Sequence, residues 1–80
     1  MIPMSRTAAD LALGESGVLE TISVAPDVAT RLMEHGFLPG ARLVPVSEAP
    51  AGGPRVFRVD GSDVALRLET ARQLVLRMEP

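Results

Sequence analysis

The residues that could do chemistry in this chain are few and scattered. The one histidine, His35, precedes Gly36, and the chain has no cysteine. Because a transition metal is held by several nitrogen, oxygen or sulfur ligands together, a lone histidine makes a poor metal site. The simpler interpretation is an imidazole at the C-terminal end of a helix, where the helix dipole favours positive charge. We therefore predict no metal site and no cofactor.

Catalytic groups are equally sparse. The five serines share one histidine that could serve as their base, and no motif surrounds any of them. Asp60 and Asp63 flank a predicted hairpin turn, where hydrogen bonds from side chain to backbone explain them. Neither GESG (14–17) nor PAGGP (50–54) has the strand, loop, helix and lysine of a phosphate-binding loop. The sequence thus predicts a protein that is not an enzyme and has no catalytic residue.

Two large apolar residues are the first candidates for a binding surface. Phe37 and Leu38 lie between Gly36 and the pair Pro39-Gly40, at the predicted exit of a helix. The alternative is that they cap a thin core under the helix. Because they are adjacent, we expect one side chain to point inward and the other outward, where it could contact a partner.

A loop and three arginines complete the candidate surface. The stretch APAGGPRV (49–56) is a loop bounded by prolines, and Arg42, Arg55 and Arg58 lie on the two predicted strands that it joins. These arginines could meet an acidic partner at exposed strands and loops, where protein domains commonly dock. The alternative is a solvated charged face.

Length and composition limit the class of protein. Eighty residues form one small domain, which buries only roughly 60% of its unfolded surface. No apolar run is long enough to span a membrane, and the start MIPMSRTAAD does not resemble a signal peptide, so we expect a cytoplasmic location. A formal net charge of −2, with no lysine, tyrosine or tryptophan, argues against nucleic acid as a partner.

The first half of the chain predicts a strand, a helix and a second strand. In VLETISVA (18–25), Val18, Ile22 and Val24 share one face, with Glu20 as an exception. A helix follows from Pro26 to Gly36, with Asp27 as its N-cap and with Val28, Leu32 and Met33 on its apolar side. Pro39-Gly40 has the form of a type II turn. The next strand, 41–49, contains Pro45 and so has an edge or a bulge there.

The second half predicts a hairpin and a last strand. Residues 55–60 and 62–68 form the hairpin around a primed turn at Asp60-Gly61. Residues 69–72 make one helical turn, and 74–78 alternate as the final strand. Five short strands bury a common face best in a small closed barrel. We predict a mainly β, SH3-like five-stranded barrel over residues 11–80, after a flexible leader at 1–10.

The order of these pieces resembles the FeoA family of bacterial ferrous iron transport proteins. The resemblance covers about residues 11–78, and His35 and Pro45 depart from the family pattern. The matching positions are Gly14, Gly17, Arg31, Leu32, Gly36, Pro39, Gly40, Pro50, Pro54, Gly61, Ala65, Leu66, Arg67, Ala71, Leu74 and Leu76.

The resemblance implies a small cytosolic accessory protein that binds FeoB, the membrane permease for Fe(II) that carries a cytosolic GTP-binding domain. It leaves a second function open, because a related domain ends the DtxR-type repressors: an iron-responsive regulatory domain that binds metal or a repressor. A barrel that binds nucleic acid is a third and weaker interpretation, and the sequence leaves open whether the chain forms a homo-oligomer.

Overall fold

The fold is a five-stranded antiparallel sheet with one α-helix of nine residues. The structure, a computed structural model, describes residues 6–77. Its elements in chain order are a 3-10 helix at Ala8–Asp10, β1 at Gly17–Ile22, α1 at Pro26–Glu34, β2 at Arg42–Glu48, β3 at Arg55–Val59, β4 at Ser62–Leu66, α2 at Leu68–Ala71 and β5 at Leu74–Leu76. The predicted mainly β class, the helix after the first strand and the helical turn before the last strand are confirmed.

The strands follow the order β4-β3-β2-β1-β5, so β4 and β5 lie at opposite edges. The predicted barrel was closed, whereas this sheet is not. Leu68, expected in the strand after the hairpin, instead begins α2, which leaves β4 only five residues long. Over residues 6–77, no ladder of hydrogen bonds joins β4 to β5.

The first strand changes face at a bulge. Its register with β5 shifts between Leu19 and Thr21, so Glu20 is an extra residue. A bulge resets the alternation of side chains. Leu19, which has no exposed surface, and the half-buried Ile22 therefore both contribute to the core. The sequence predicted that Val18, Ile22 and Val24 share the inward face. This prediction left out Leu19, which is the most buried residue of β1.

The helix begins and ends through backbone features. Pro26 is its first residue, where a missing N–H costs nothing, and Ala25 occupies the N-cap. The predicted cap, Asp27, is the second residue of the helix, two positions after the N-cap. Gly36, at φ +101°, ends the helix as predicted. Its N–H bonds Met33 O at 3.0 Å, and the N–H of Phe37 bonds Leu32 O at 3.1 Å. These two bonds define a Schellman motif.

The second strand is bulged, as the proline predicted. The register between β2 and β3 shifts between Pro45 and Ser47, and the side chain of Pro45 is fully buried. The carbonyl of Pro45 accepts the N–H of Gly14 at 2.8 Å, which fastens the turn before β1 to β2. Pro45 therefore lies in an interior strand, but past Leu43, the last β2 residue that pairs with β1, so on that side no ladder requires its missing N–H.

The hairpin between β3 and β4 has the predicted primed turn. Asp60 and Gly61 have φ values of +51° and +79°, as a type I′ turn requires. The interior beneath the sheet is almost wholly aliphatic apart from two phenylalanines. Its largest fully buried side chains are Phe37, Phe57, Leu19, Leu43, Leu74, Val59 and Pro45.

Part of the predicted leader is packed against the domain. Residues 1–5 lie outside the described residues, as does Met78 of the predicted last strand. Thr7 forms a β-bridge with Val75, and Arg6 O accepts the N–H of Leu76 at 2.8 Å. Ala8 has no exposed surface. Residues 6–8 of the predicted leader thus pack against β5 and the core.

Candidate functional site

The side chains of the two apolar residues at the helix exit point in opposite directions, as the sequence predicted. Phe37 is fully buried, whereas Leu38 is 48% exposed. The Schellman motif explains the inward turn of Phe37, because this motif commonly brings the second residue after the cap back onto the last turn, here Leu32. The burial of Phe37 removes it from the candidate contact surface. Leu38 remains on it.

The turn that carries Leu38 is fastened to the sheet. Ala41 N–H bonds Leu38 O at 2.8 Å, and Gly40 has φ +94°, which together give the predicted type II turn. The backbone of Leu19 in β1 then holds the turn from both sides. Its carbonyl accepts Gly40 N–H at 2.7 Å, and its N–H donates to Ala41 O at 2.8 Å. Leu38 is therefore presented by a rigid corner.

Beside this corner lies an open depression of about 480 Å³. Leu38 and Pro39 contribute large apolar side chains to its lining, and Arg42 and Asp60 contribute charge. Arg42 is exposed and donates one hydrogen bond, from Nη1 to Ser16 Oγ at 3.1 Å. No carboxylate among residues 6–77 pairs with it. We call Leu38, Pro39, Arg42 and Asp60 the corner surface.

Arg58 is exposed but already has a partner. Its Nε and Nη2 donate to the two carboxylate oxygens of Asp63 at 2.8 and 3.0 Å, across the β3–β4 ladder. This bidentate pair lowers the pKa of Asp63 and raises the pKa of Arg58, chiefly through the hydrogen bonds between the two side chains. An acidic partner would have to compete with Asp63 for Arg58.

Arg55 is a structural residue and is not available to a partner, which corrects its place among the candidates. It is only 4% exposed. Its Nη1 donates to the carbonyls of Ala8 and Ala9, each at 3.2 Å. Nε lies 2.9 Å from Glu48 Oε1, an ion-pair distance, although the N–H does not point at that oxygen well enough for a hydrogen bond. The guanidinium also lies 5.7 Å from the centre of the Phe57 ring.

The proline-bounded loop lies far from Leu38. Gly53 N–H bonds Pro50 O at 3.2 Å and Ala49 N–H bonds Pro54 O at 2.8 Å, so the loop is a tight hairpin end. The loop follows Glu48, the last residue of β2, whereas Leu38 lies before Arg42, the first residue of that strand. Seven strand residues separate them by about 20 Å. The structure thus brings Leu38 and Arg42 together but places the loop elsewhere.

Sequence reasoning missed two members of the corner surface and one exposed apolar residue. The sequence indicates only a turn role for Pro39 and only a hairpin role for Asp60. Pro39 and Asp60 lie close together because the β3–β4 hairpin packs against the end of α1. A Cβ added to Gly36 would lie 3.2 Å from Asp60 Cβ. Met33, expected on the apolar side of α1, is 42% exposed.

Across residues 6–77, no three histidine, cysteine or acidic side chains come close enough to hold a metal ion together. None of the helices in this range has both the length and the apolar character to cross a membrane.

Comparison with known proteins identifies the family. The family model for the FeoA domain matches residues 6–78. The chain belongs to the FeoA family. Curated protein sequences gave no match.

Solved FeoA structures share this fold closely. The solution structure of FeoA from Chlorobium tepidum is 25% identical, with a TM-score of 0.86 over 91% of this chain and 70% of that one. FeoA from Stenotrophomonas maltophilia, solved in complex with zinc, is 33% identical, with a TM-score of 0.77 over 90% of this chain and 89% of that one. It is described as a prokaryotic SH3 domain protein and a candidate activating factor of ferrous iron transport. The predicted SH3-like fold is therefore confirmed.

A repressor has the same fold. A manganese-dependent transcriptional repressor is 19% identical, with a TM-score of 0.78 over 95% of this chain and 42% of the repressor. At this identity the likeness concerns the fold alone. FeoA membership ties the chain to ferrous iron transport.

Proposed function

We propose that this FeoA-family protein is a cytosolic, non-catalytic interaction module that binds a FeoB-type Fe(II) permease through the corner surface and modulates it. The observation that carries the proposal is Leu38, a half-exposed apolar side chain on a turn fixed by two backbone hydrogen bonds to Leu19. A rigid apolar residue loses little conformational entropy when a partner covers it.

The charge beside Leu38 supports a protein partner. Arg42 has no carboxylate partner among the described residues, so an acidic group on the permease could bind it without displacing one. Arginine is one of the residue types enriched among the few residues that dominate protein–protein binding. Docking would then act on transport by stabilising one conformation of the permease over another.

A matched pair of leucine variants tests this proposal. Leu13 is 52% exposed and Leu38 is 48% exposed, and Leu13 does not line the corner depression. We expect Leu38→Ser to weaken binding to the purified permease by about tenfold or more and to reduce Fe(II) uptake in cells. Leu13→Ser should leave both near wild type. Equal binding by the two variants, or no binding of the wild-type chain to the permease, would count against the proposal.

The regulatory alternative has a separate test. The likeness to the manganese-dependent repressor raises it, although at the level of fold alone. Anaerobic titration calorimetry with Fe(II), Mn(II) and Zn(II) distinguishes the two functions, because docking to a permease requires no metal on this chain. Tight binding of one ion per chain would favour an iron-responsive regulatory domain.

A further inference from the structure

Among residues 6–77, the chain covers the β5 edge of the sheet and leaves the β4 edge uncovered. At the β5 edge, residues 6 and 7 lie alongside the strand, through the Thr7–Val75 bridge and the bond from Leu76 N–H to Arg6 O. At the β4 edge, no described segment pairs with the outer side of the strand. An uncovered edge presents backbone donors and acceptors to any extended chain that approaches it.

The register identifies which groups are free. In a two-residue hairpin, Val59 and Ser62 exchange both backbone hydrogen bonds, and such pairs alternate with pairs that exchange none. Asp63 and Ala65 belong to the pairs that exchange no hydrogen bond with β3, so their N–H and C=O groups point away from β3. Within residues 6–77 these groups have no other backbone partner. Two donors and two acceptors are thus aligned along one side of β4.

A groove of about 580 Å³ runs beside this edge, with α1 as its other wall. Val28 and Leu32 of α1 and Val64 and Leu66 of β4 give it an apolar lining. The groove is therefore bounded on one side by a strand edge and on the other by apolar helix residues. An extended peptide could enter it as a further strand.

The charge of the groove indicates the chemistry of its occupant. Arg31 and His35 of α1 and Arg67, which follows β4, line it, and no acidic residue does. Neither arginine forms an ion pair with a carboxylate of the described chain. The nearby carboxylate of Asp63 is already bound by Arg58. This basic lining stands out in a chain whose formal net charge is −2.

We propose that this groove binds an extended acidic segment of a partner protein, which adds to the sheet beside β4. The main chain of the segment bonds Asp63 and Ala65, its apolar side chains pack between α1 and β4, and its carboxylates pair with Arg31 and Arg67. The groove shares no lining residue with the corner surface. The proposal needs neither a permease nor iron, so it stands or fails independently of the proposed function.

A synthetic peptide provides the probe. We suggest a capped peptide of about seven residues that alternates glutamate and valine, because strands of this length are common. It is compared with a lysine–valine peptide and with a glutamate–valine peptide whose alternate amides are N-methylated. We expect the glutamate–valine peptide to shift the NMR amide signals of Asp63, Ala65 and Arg67, with binding at least about tenfold tighter than that of the other two.

Variants of the protein test the same contacts. The double variant Arg31→Glu, Arg67→Glu should weaken binding of the acidic peptide by about tenfold or more, because it reverses both charges in the groove. Arg72→Glu, an exposed arginine outside the groove, is the matched control and should change binding little. Both arginines of the double variant are exposed, so the fold should survive the change.

Several results would overturn the proposal. One is the absence of shifts at the β4 edge with any of the three peptides up to about 1 mM, the weak limit of specific binding. A second is equal binding of the acidic and basic peptides. A third is slow hydrogen exchange at Asp63 and Ala65 that appears with rising protein concentration, since a second copy would then occupy the edge.

Discussion

We expect Arg55→Met to destabilise the domain and to release the N-terminal segment from β5. The guanidinium joins β3 to the 3-10 helix through the carbonyls of Ala8 and Ala9, at 3.2 Å each. Methionine is similar in length and apolar, so it can keep the packing on Phe57 while it removes both hydrogen bonds. Ala8 has no exposed surface, so water cannot readily replace the lost donor.

The size of the effect follows from these contacts. A hydrogen bond from a charged donor contributes about 1.5–3 kcal/mol, so two contribute about 3–6 kcal/mol. Removing the buried guanidinium also removes its desolvation cost, which offsets part of this loss. We expect a net loss of about 2–4 kcal/mol in the free energy of unfolding. A domain of this size has a total stability of about 4–12 kcal/mol, so the loss is a large share.

Urea denaturation and hydrogen exchange measure the two parts of this effect. Denaturation gives the loss of global stability, with Arg72→Met as a control at an exposed arginine. Exchange should accelerate most at the Leu76 amide, whose acceptor is Arg6 O. An unchanged urea midpoint would refute the energetic argument. Exchange that accelerates equally at Leu76 and throughout the sheet would refute the claim that Arg55 holds the N-terminal segment.

Three further changes test the fold and its charges. Phe37→Ala should cost about 3–5 kcal/mol in urea denaturation because Phe37 is fully buried, and a cost near that of Leu38→Ala would contradict its place in the core. Gly40→Ala should cost about 1–2 kcal/mol through backbone strain alone, since nothing lies within 4 Å of the added Cβ. The pKa of Glu15 is lowered from 4.5 to about 2, because its carboxylate accepts hydrogen bonds from the Arg6 side chain and from Ala12 N–H. Its contribution to the stability of the fold is therefore complete above pH 4.5 and is lost as the pH falls towards 2. Acid denaturation of Glu15→Gln should therefore show a shallower loss of stability over this range, and parallel curves for the two proteins would show that the ion pair has no such effect.

The turns were the most predictable part of the fold. Gly36, Gly40 and the Asp60-Gly61 pair all adopt the positive φ values that the sequence predicted. Their conformations are set by local chemistry, because few residues other than glycine adopt such φ values without strain. The opposite directions of Phe37 and Leu38 were likewise predictable from their position after a helix end.

Features that depend on distant contacts were not predictable. Arg55 looks like a surface charge in the sequence, and its burial becomes clear only when the carbonyls of residues 8 and 9 meet β3. Leu19 was missed because a single bulge at Glu20 reverses the alternation that assigns strand faces. The packing of residues 6–10 gave no periodic signal, because these residues form a single bridge and a three-residue 3-10 helix rather than a longer regular element.

The unequal edges of the sheet also bear on how this domain can assemble. Growth of a filament requires each molecule to accept a neighbour at both ends of its sheet. Over residues 6–77, the chain leaves such a face on β4 alone, because Arg6 and Thr7 already lie along β5. Edge-to-edge pairing of two copies would use up both free strands and stop there. Pairing through the described edges would thus stop at one partner per domain for as long as Arg6 and Thr7 stay alongside β5.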